Sequence, residues 1–207
     1  MTPLVPVALT GADLPIAELS GARLDGELFS LAGSWCPVDT LDGPATRAAA
    51  LAELAGLAGL AGLAGLARLA GSAEPASRRL VAERLSAAWI FGLAPEPAQH
   101  QFCVDVTARI RKPEGPTALV REVRLRPDDV RAVGRLLVTV PRRTAVDLAR
   151  WGCSPGVRAD TELLAALLAY DGEAHVADDE LPAWKRGISF SRVAAAQLNQ
   201  ARRRMPG

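Results

Sequence analysis

Residues 54 to 71 read LAGLAGLAGLAGLARLAG, a three-residue repeat with a single departure at Arg68. An α-helix turns once every 3.6 residues, so leucines spaced by three wind around it and form no single apolar stripe. Each glycine also costs a helix interior about 0.5–1 kcal/mol relative to alanine. We interpret the repeat as an expanded connecting segment, with a small-residue face for close helix packing as the alternative.

The composition is that of an ordinary folded protein of 207 residues. Hydrophobic residues make up 49%, charged residues 23% and aromatic residues only 4%, so we expect a core of Leu, Val and Ala. The first basic residue is Arg23, and the longest uncharged apolar run, 54–67, is too short to span a bilayer. Three cysteines without a paired motif favour free thiols. We therefore expect a cytoplasmic protein without membrane contact.

The first 45 residues predict a helix followed by a hairpin. Asp13 can cap a helix that begins at Leu14 and Pro15 and ends near Gly26. Residues 27–31 and 35–38 then read as two short strands about a glycine-containing turn. A helix followed by a hairpin is the second half of a winged helix, so we predict a degenerate winged-helix-like segment over residues 1–45.

Three further segments are predicted after it. Residues 46–76 read as a linker helix rich in Ala, Leu and Gly, residues 77–158 as an α+β core, and residues 159–207 as C-terminal helices. Within the core, a helix from Ser77 ends at Gly92, strands cover 101–108, 118–125 and 136–140, and a helix starts at Thr144. Asp160 caps the next helix. The predicted fold is α+β, with a small, mostly antiparallel sheet flanked by helices.

The net charge of +1 is a sum of unequal parts. Residues 1–76 carry 3 basic and 8 acidic groups (net −5), residues 77–158 carry 15 and 8 (net +7), and residues 159–207 carry 6 and 7 (net −1). The middle segment is thus the candidate for contact with nucleic acid or another anionic partner, although guanidinium groups suit carboxylates equally well. The candidate contact residues are Arg109, Arg111, Lys112, Arg121, Arg124, Arg126, Arg142 and Arg143.

Known catalytic and cofactor motifs are missing from the sequence. Lys112 and Lys185 are the only lysines, and neither follows an acidic residue by two positions, which excludes the acidic-x-Lys element of many metal-dependent nucleases. His100 and His175 have no His or Cys at metal-ligand spacing. No glycine-rich phosphate loop or nucleophile motif occurs. We expect no catalytic residue, no cofactor and no bound metal.

Two sequence blocks carry a family resemblance. The first is SAAWIFG, with Ser86, Ala87, Ala88, Trp89 and Gly92 at the matching positions. The second is VTVPRRTAVDLAR, matching at Thr139, Pro141, Arg143, Thr144, Asp147, Leu148 and Ala149. In this order and spacing, with a strand pair between them, the chain resembles the actinobacterial AbiEi-type antitoxins of type IV toxin–antitoxin systems.

The resemblance implies a protein that represses its own operon through an N-terminal winged helix and counteracts a nucleotidyltransferase-like toxin without forming a stable complex. This sequence departs from that pattern in its first helix, where Arg23 is the only basic residue against Glu18, Asp25 and Glu27. An acidic helix repels phosphates, so any contact with operator DNA is expected in the middle of the chain.

The second block also has a structural explanation. Pro141 suits the first turn of a helix, Thr139 or Thr144 can bond its first N–H groups, and Arg143 and Asp147 are spaced for a helical ion pair. The functional hypothesis is a non-catalytic regulator that works by binding. The alternatives are a nuclease or other hydrolase with an unfamiliar site, and a degenerate scaffold that binds no DNA.

Overall fold

A computed structural model of the chain describes residues 8–55, 80–107, 118–153, 157–170 and 192–205. Over these ranges six α-helices and seven strands form a two-stranded hairpin and a five-stranded sheet with helices around it. The fold class is α+β, as predicted, with an N-terminal helix and hairpin preceding the helix-flanked sheet. The boundaries between the predicted segments remain predictions.

The N-terminal helix, α1 (Ile16–Leu24), is held to the fold by one buried side chain, Leu19. Asp13 does not cap it, which corrects the prediction. Its carboxylate instead accepts hydrogen bonds from the backbone N–H of Thr10 (2.8 Å) and from the Thr10 hydroxyl (3.0 Å). The helix starts too late for Asp13 to reach it, because Pro15 occupies the N-cap position. Gly26, at φ +78°, follows its end as predicted.

The predicted hairpin is confirmed as β1 (Leu28–Leu31) and β2 (Ser34–Pro37), paired antiparallel. Leu31 lies opposite Ser34, so the turn consists of Ala32 and Gly33 alone. Their φ angles are +49° and +75°. Two consecutive positive φ values are typical of a type I′ turn, whose twist matches that of the strands it joins.

The second helix, α2 (Pro44–Ala55), forms where the alanine-rich stretch predicts one. Its buried residues include Ala48, Leu51 and Ala55, so this end of the predicted 46–76 linker helix packs into the core. Arg47 makes a bidentate contact with Asp42, 2.7 Å at each nitrogen. The remainder of the linker helix lies outside the described residues.

The five-stranded sheet consists of β3 (Val81–Ala82), β4 (His100–Asp105), β5 (Ala118–Val123), β6 (Val130–Val133) and β7 (Leu136–Thr139). Their order is β5-β4-β3-β7-β6. The β3–β4 and β6–β7 pairs are antiparallel, whereas β4–β5 and β3–β7 are parallel. The sheet is therefore mixed rather than mostly antiparallel, because β3 takes the centre and pairs with a strand far away in the sequence.

The predicted helix from Ser77 is wrong in its first half. Val81 and Ala82 form the central strand β3, and the helix, α3, covers only Arg84–Ile90. An apolar run of this length fits a strand and a helix equally well, and pairing with β4 and β7 decides between them. The predicted stop at Gly92 is confirmed, with φ +78°. Strand β6 was not predicted.

The C-terminal half is largely helical. A 3₁₀ turn at Pro127–Asp129 precedes β6, and α4 covers Pro141–Trp151, three residues more at its start than predicted. Asp160 caps α5 (Thr161–Ala169) by accepting from the N–H of Glu162, as predicted. The last helix, α6 (Arg192–Arg202), packs with α4 and α5.

One continuous hydrophobic core joins the hairpin, α2, the sheet and the C-terminal helices. Leu, Ala and Val dominate it as the composition predicts, and Phe102 is the largest of its fully buried side chains. The three cysteines are free thiols, with Cys36 and Cys103 buried. Across the described ranges, none of the helices has the length and apolar character that a membrane crossing requires.

We expect Gly33→Ala to lower the free energy of unfolding by about 1–2 kcal/mol, because a side chain at φ +75° is strained. Gly21→Ala is the matched control: it lies within α1 with no heavy atom within 4 Å of an added Cβ, so it should raise stability by about 0.5–1 kcal/mol. Urea unfolding measures both. Equal effects of the two substitutions would contradict the type I′ turn.

Candidate functional site

Five charged side chains of alternating sign form a continuous contact series, here called the charge chain: Glu83, Arg121, Asp147, Arg143 and Asp129. Two guanidinium nitrogens of Arg121, Nε and Nη2, donate hydrogen bonds to the Glu83 carboxylate, the second at 2.6 Å. Nη2 also lies 3.3 Å from Oδ2 of Asp147. Arg143 contacts Asp147 at 2.8 Å and Asp129 at 2.6 Å. The three carboxylate side chains and that of Arg143 are all at least 97% buried.

Four separate elements bring these groups together. Arg121 of β5 lies opposite Cys103 of β4, which in turn lies opposite Val81 of β3, so all three share one face of the sheet. Glu83 follows β3 two residues later and meets Arg121 across the Cys103 row. Asp129 comes from the 3₁₀ turn, while Arg143 and Asp147 lie one turn apart on α4.

The charge chain changes the ionisation of its members. Burial raises the pKa of Glu83, and the hydrogen bond and charge of Arg121 only partly oppose this. Burial disfavours the charged forms of Arg121 and Arg143. The carboxylates that they contact outweigh this effect and raise the pKa of each guanidinium group above its ordinary value. Burial, followed by the charges of Glu83 and Asp147, raises the pKa of the Cys103 thiol well above its usual range. That thiol is a poor nucleophile.

Arg143 and Asp147 form the predicted ion pair, but it lies in the interior and not on an exposed helix face. The two threonines differ from the prediction. Thr144 donates to the carbonyl oxygens of Thr139 and Val140, and the two threonine hydroxyls lie 2.7 Å apart. They bond to each other and to carbonyl oxygens because their side chains lie in the junction between β7 and α4. Pro141 is the first residue of α4, as predicted.

A second buried polar cluster lies at the start of β4. The Ser86 hydroxyl accepts from the N–H of Gln101 (2.8 Å) and lies 3.2 Å from Nδ1 of His100. His100 Nε2 lies 3.5 Å from Glu96, whose other oxygen accepts from the N–H of Ala32 in the hairpin turn. The Ser86 hydroxyl can donate to Nδ1 or accept from it, according to the tautomer of His100. Burial lowers the pKa of His100, against the charge of Glu96.

The structure places the predicted contact arginines in environments of different exposure. Arg143 is buried in the charge chain, so its guanidinium is not presented at the surface, whereas the side chain of Arg121, also in the charge chain, is 22% exposed. Arg124 and Arg126 are exposed after β5, and Arg142 is half-buried in the first turn of α4. Arg109, Arg111 and Lys112 lie outside the described residues.

Most of the positions that carry the resemblance lie together in the interior, whereas Gly92 is exposed. Ala87 and Trp89 of α3 are buried, and the Trp89 ring packs against that of His100 with 5.4 Å between centroids. Pro141 and Asp147 are buried on α4, which packs directly against α3. The two blocks thus form one structural unit.

Sequence reasoning missed Glu83, His100, Gln101 and Trp151. Glu83 stood in a predicted helix, where a glutamate signals nothing unusual, and only the strand β3 places it in the interior. The Gln101 side chain accepts from Leu85 N–H and donates to the carbonyl of Cys153, a bridge invisible in sequence. Trp151 directly precedes Gly152, which ends the helix.

Chemically, the charge chain holds elements together, because each of its carboxylates is engaged by a guanidinium group. In the ranges that the structure covers, no group of three or more His, Cys, Asp or Glu side chains is arranged to hold a metal ion.

Comparison with known proteins adds little beyond this geometry. No protein-family model matches the chain, and no curated protein matches it. A crystal structure of the RV2827C protein from Mycobacterium tuberculosis is similar over 95% of this chain and 72% of that one, at 15% identity and a TM-score of 0.43. A similarity at this level carries no argument about fold or function.

We expect Asp147→Asn to lower the free energy of unfolding by about 3–5 kcal/mol. The substitution removes the carboxylate charge that lies between Arg121 and buried Arg143, so Arg143 keeps only Asp129 as a counter-charge. Asp42→Asn is the matched control. It breaks a contact in which Asp42 is 47% exposed, and its effect should stay below about 1 kcal/mol. Both are measured by urea unfolding, and similar losses for the two variants would contradict a buried charge chain.

Acidification should destabilise the protein through His100. Its pKa is lowered in the fold, so the unfolded state binds the proton first as the pH falls below about 6.5. The stabilisation from neutral His100 is present above that pH and is lost as the pH falls. Urea unfolding of the wild type and of His100→Gln at neutral and mildly acidic pH should show a smaller pH dependence in the variant. An unchanged dependence would exclude this role of His100.

Proposed function

We propose that the protein is a non-catalytic regulator of the AbiEi antitoxin type, acting in the cytoplasm by binding. The observation that supports this most is the meeting of the two sequence blocks. The helix α3, which carries Ser86 to Trp89, packs directly against α4, which carries Pro141 to Asp147. Two blocks that are distant in sequence thus form one packed unit, as we expect if the chain shares a scaffold with these antitoxins.

The chemistry of the interior also favours binding over catalysis. The carboxylates of Glu83, Asp129 and Asp147 are engaged by arginine, where a metal-dependent nuclease needs carboxylates free for a cation. The second block serves to connect β7, α4 and the 3₁₀ turn. A scaffold of this kind acts through its surface, with operator DNA and a nucleotidyltransferase-like toxin as the proposed partners.

The DNA-contacting surface is proposed to lie around the connection after β5. Arg124 and Arg126 are exposed there, and α1 offers no comparable basic surface because its exposed residues include Glu18 and one arginine, Arg23. Phosphate contacts dominate the affinity for DNA, so the exposed arginines outweigh an acidic helix.

An electrophoretic shift with the gene's own upstream duplex, run over a salt series, tests the DNA part. We expect binding at low salt, with the Arg124→Gln/Arg126→Gln double variant weaker and its salt slope reduced by about 2. Arg135→Gln is the control for loss of a cation, since Arg135 is 83% exposed in the β6–β7 turn. If the double variant bound like the wild type, the proposed surface would be wrong.

Co-expression with the product of a neighbouring nucleotidyltransferase-like gene tests the antitoxin part. We expect this chain to restore growth to cells that the toxin inhibits. Incubation with DNA, RNA and divalent cations tests the alternative that the protein is a nuclease or other hydrolase. Turnover of any substrate would contradict a non-catalytic role. Absence of both DNA binding and growth rescue would leave the scaffold alternative.

A further inference from the structure

Trp151 leaves a large aromatic surface in contact with solvent. It is the last residue of α4 and is 53% exposed, whereas Trp89 is only 3% exposed. The helix ends directly after it at Gly152, where φ is +69° and the N–H bonds to the carbonyl oxygen of Leu148 at 2.8 Å. The indole is thus presented at the end of a helix, with about half of its surface open to an aromatic stacking partner.

Two guanidinium groups lie against this ring. The Arg121 guanidinium carbon is 5.3 Å from the ring centroid, and that of Arg150 is 4.9 Å away. Arg121 is fixed in place by Glu83 and Asp147. Arg150 is half-buried, and the charge of Asp147 acts on it as well.

The local charge is positive. Four arginines (Arg84, Arg121, Arg143 and Arg150) face the three carboxylates of the charge chain, which leaves one cation in excess. Arg84 and Arg143 are more than 90% buried, whereas Arg121 and Arg150, beside Trp151, are partly exposed. Arg84 also holds a positive φ of +47°, and its Nε lies 3.4 Å from Oε1 of Glu83, an ion pair without hydrogen-bond geometry. Backbone strain of this kind concentrates at functional sites.

We propose that Trp151, Arg121 and Arg150 form a binding site for an unpaired nucleotide, with the base stacked on the indole and the phosphate held by the guanidinium groups. An exposed aromatic ring flanked by arginines combines the two contacts that a nucleotide needs. The faces of bases in a duplex are covered by their neighbours, so the indole selects a single strand or a free nucleotide. This ligand differs from the duplex of the proposed function.

Fluorescence anisotropy of a labelled oligodeoxythymidine strand with the full chain tests the site. We expect Trp151→Ala to weaken binding about tenfold, with Trp151→Phe close to the wild type because a phenyl ring still stacks. Arg150→Gln should weaken binding and reduce the salt slope by about 0.7. Arg135→Gln, which removes an equal charge elsewhere, should bind within about twofold of the wild type.

Competition separates the sources of the ligand. Displacement of the strand by thymidine monophosphate identifies a free nucleotide as sufficient, whereas displacement by unlabelled strand alone identifies single-stranded nucleic acid. Equal displacement by polyglutamate would overturn the proposal, as would unchanged binding by Trp151→Ala or no binding of strand and monophosphate at low salt. Thermal unfolding of Trp151→Ala should match the wild type, so a loss of binding is not a loss of fold.

The outcome is independent of the operator experiment. Loss of the duplex shift in the Arg124→Gln/Arg126→Gln variant with normal strand binding would separate the two surfaces. Conversely, a wild type that binds the strand but no duplex would reject operator binding and retain the Trp151 site.

Discussion

The buried contact between Arg143 and its two aspartates is the interaction on which the arrangement of this fold depends. A guanidinium group taken out of water costs several kcal/mol, and only well-oriented carboxylates offset this. Asp129 and Asp147 supply them at 2.6 Å and 2.8 Å. The 3₁₀ turn and α4 must therefore approach each other in one geometry, and the same Asp147 then positions Arg121 on the edge strand.

The character of the core explains why such a constraint matters. A core of Leu, Ala and Val tolerates rearrangement, because similar aliphatic side chains substitute for one another in packing. Bidentate guanidinium–carboxylate contacts are directional and accept only one arrangement. In this protein the charge chain connects β5, the end of β3, the 3₁₀ turn and α4, so it specifies how the edge of the sheet meets the helices.

Prediction from the sequence succeeded where the signal is local. The hairpin about Gly33, the helix of Pro44–Ala55, the stop at Gly92 and the cap at Asp160 all depend on residues within a few positions of one another. It failed where pairing decides. Val81 and Ala82 were placed in a helix, although parallel pairing with β7 makes them the centre of the sheet. The two blocks stand out in the sequence as motifs, but their burial is not evident from it.

The sequence by itself determined the fold class, the aliphatic core and the concentration of positive charge in residues 77–158, because composition and short-range periodicity carry these properties. Only the tertiary structure decided which arginines face solvent. Glu83 and Arg121 are 38 residues apart and meet across a strand that lies between them. A guanidinium group binds a protein carboxylate or an external anion equally well. The fold therefore decides which kind of anion each arginine can bind. Arg143 is buried against two carboxylates, whereas Arg150 lies beside an exposed indole.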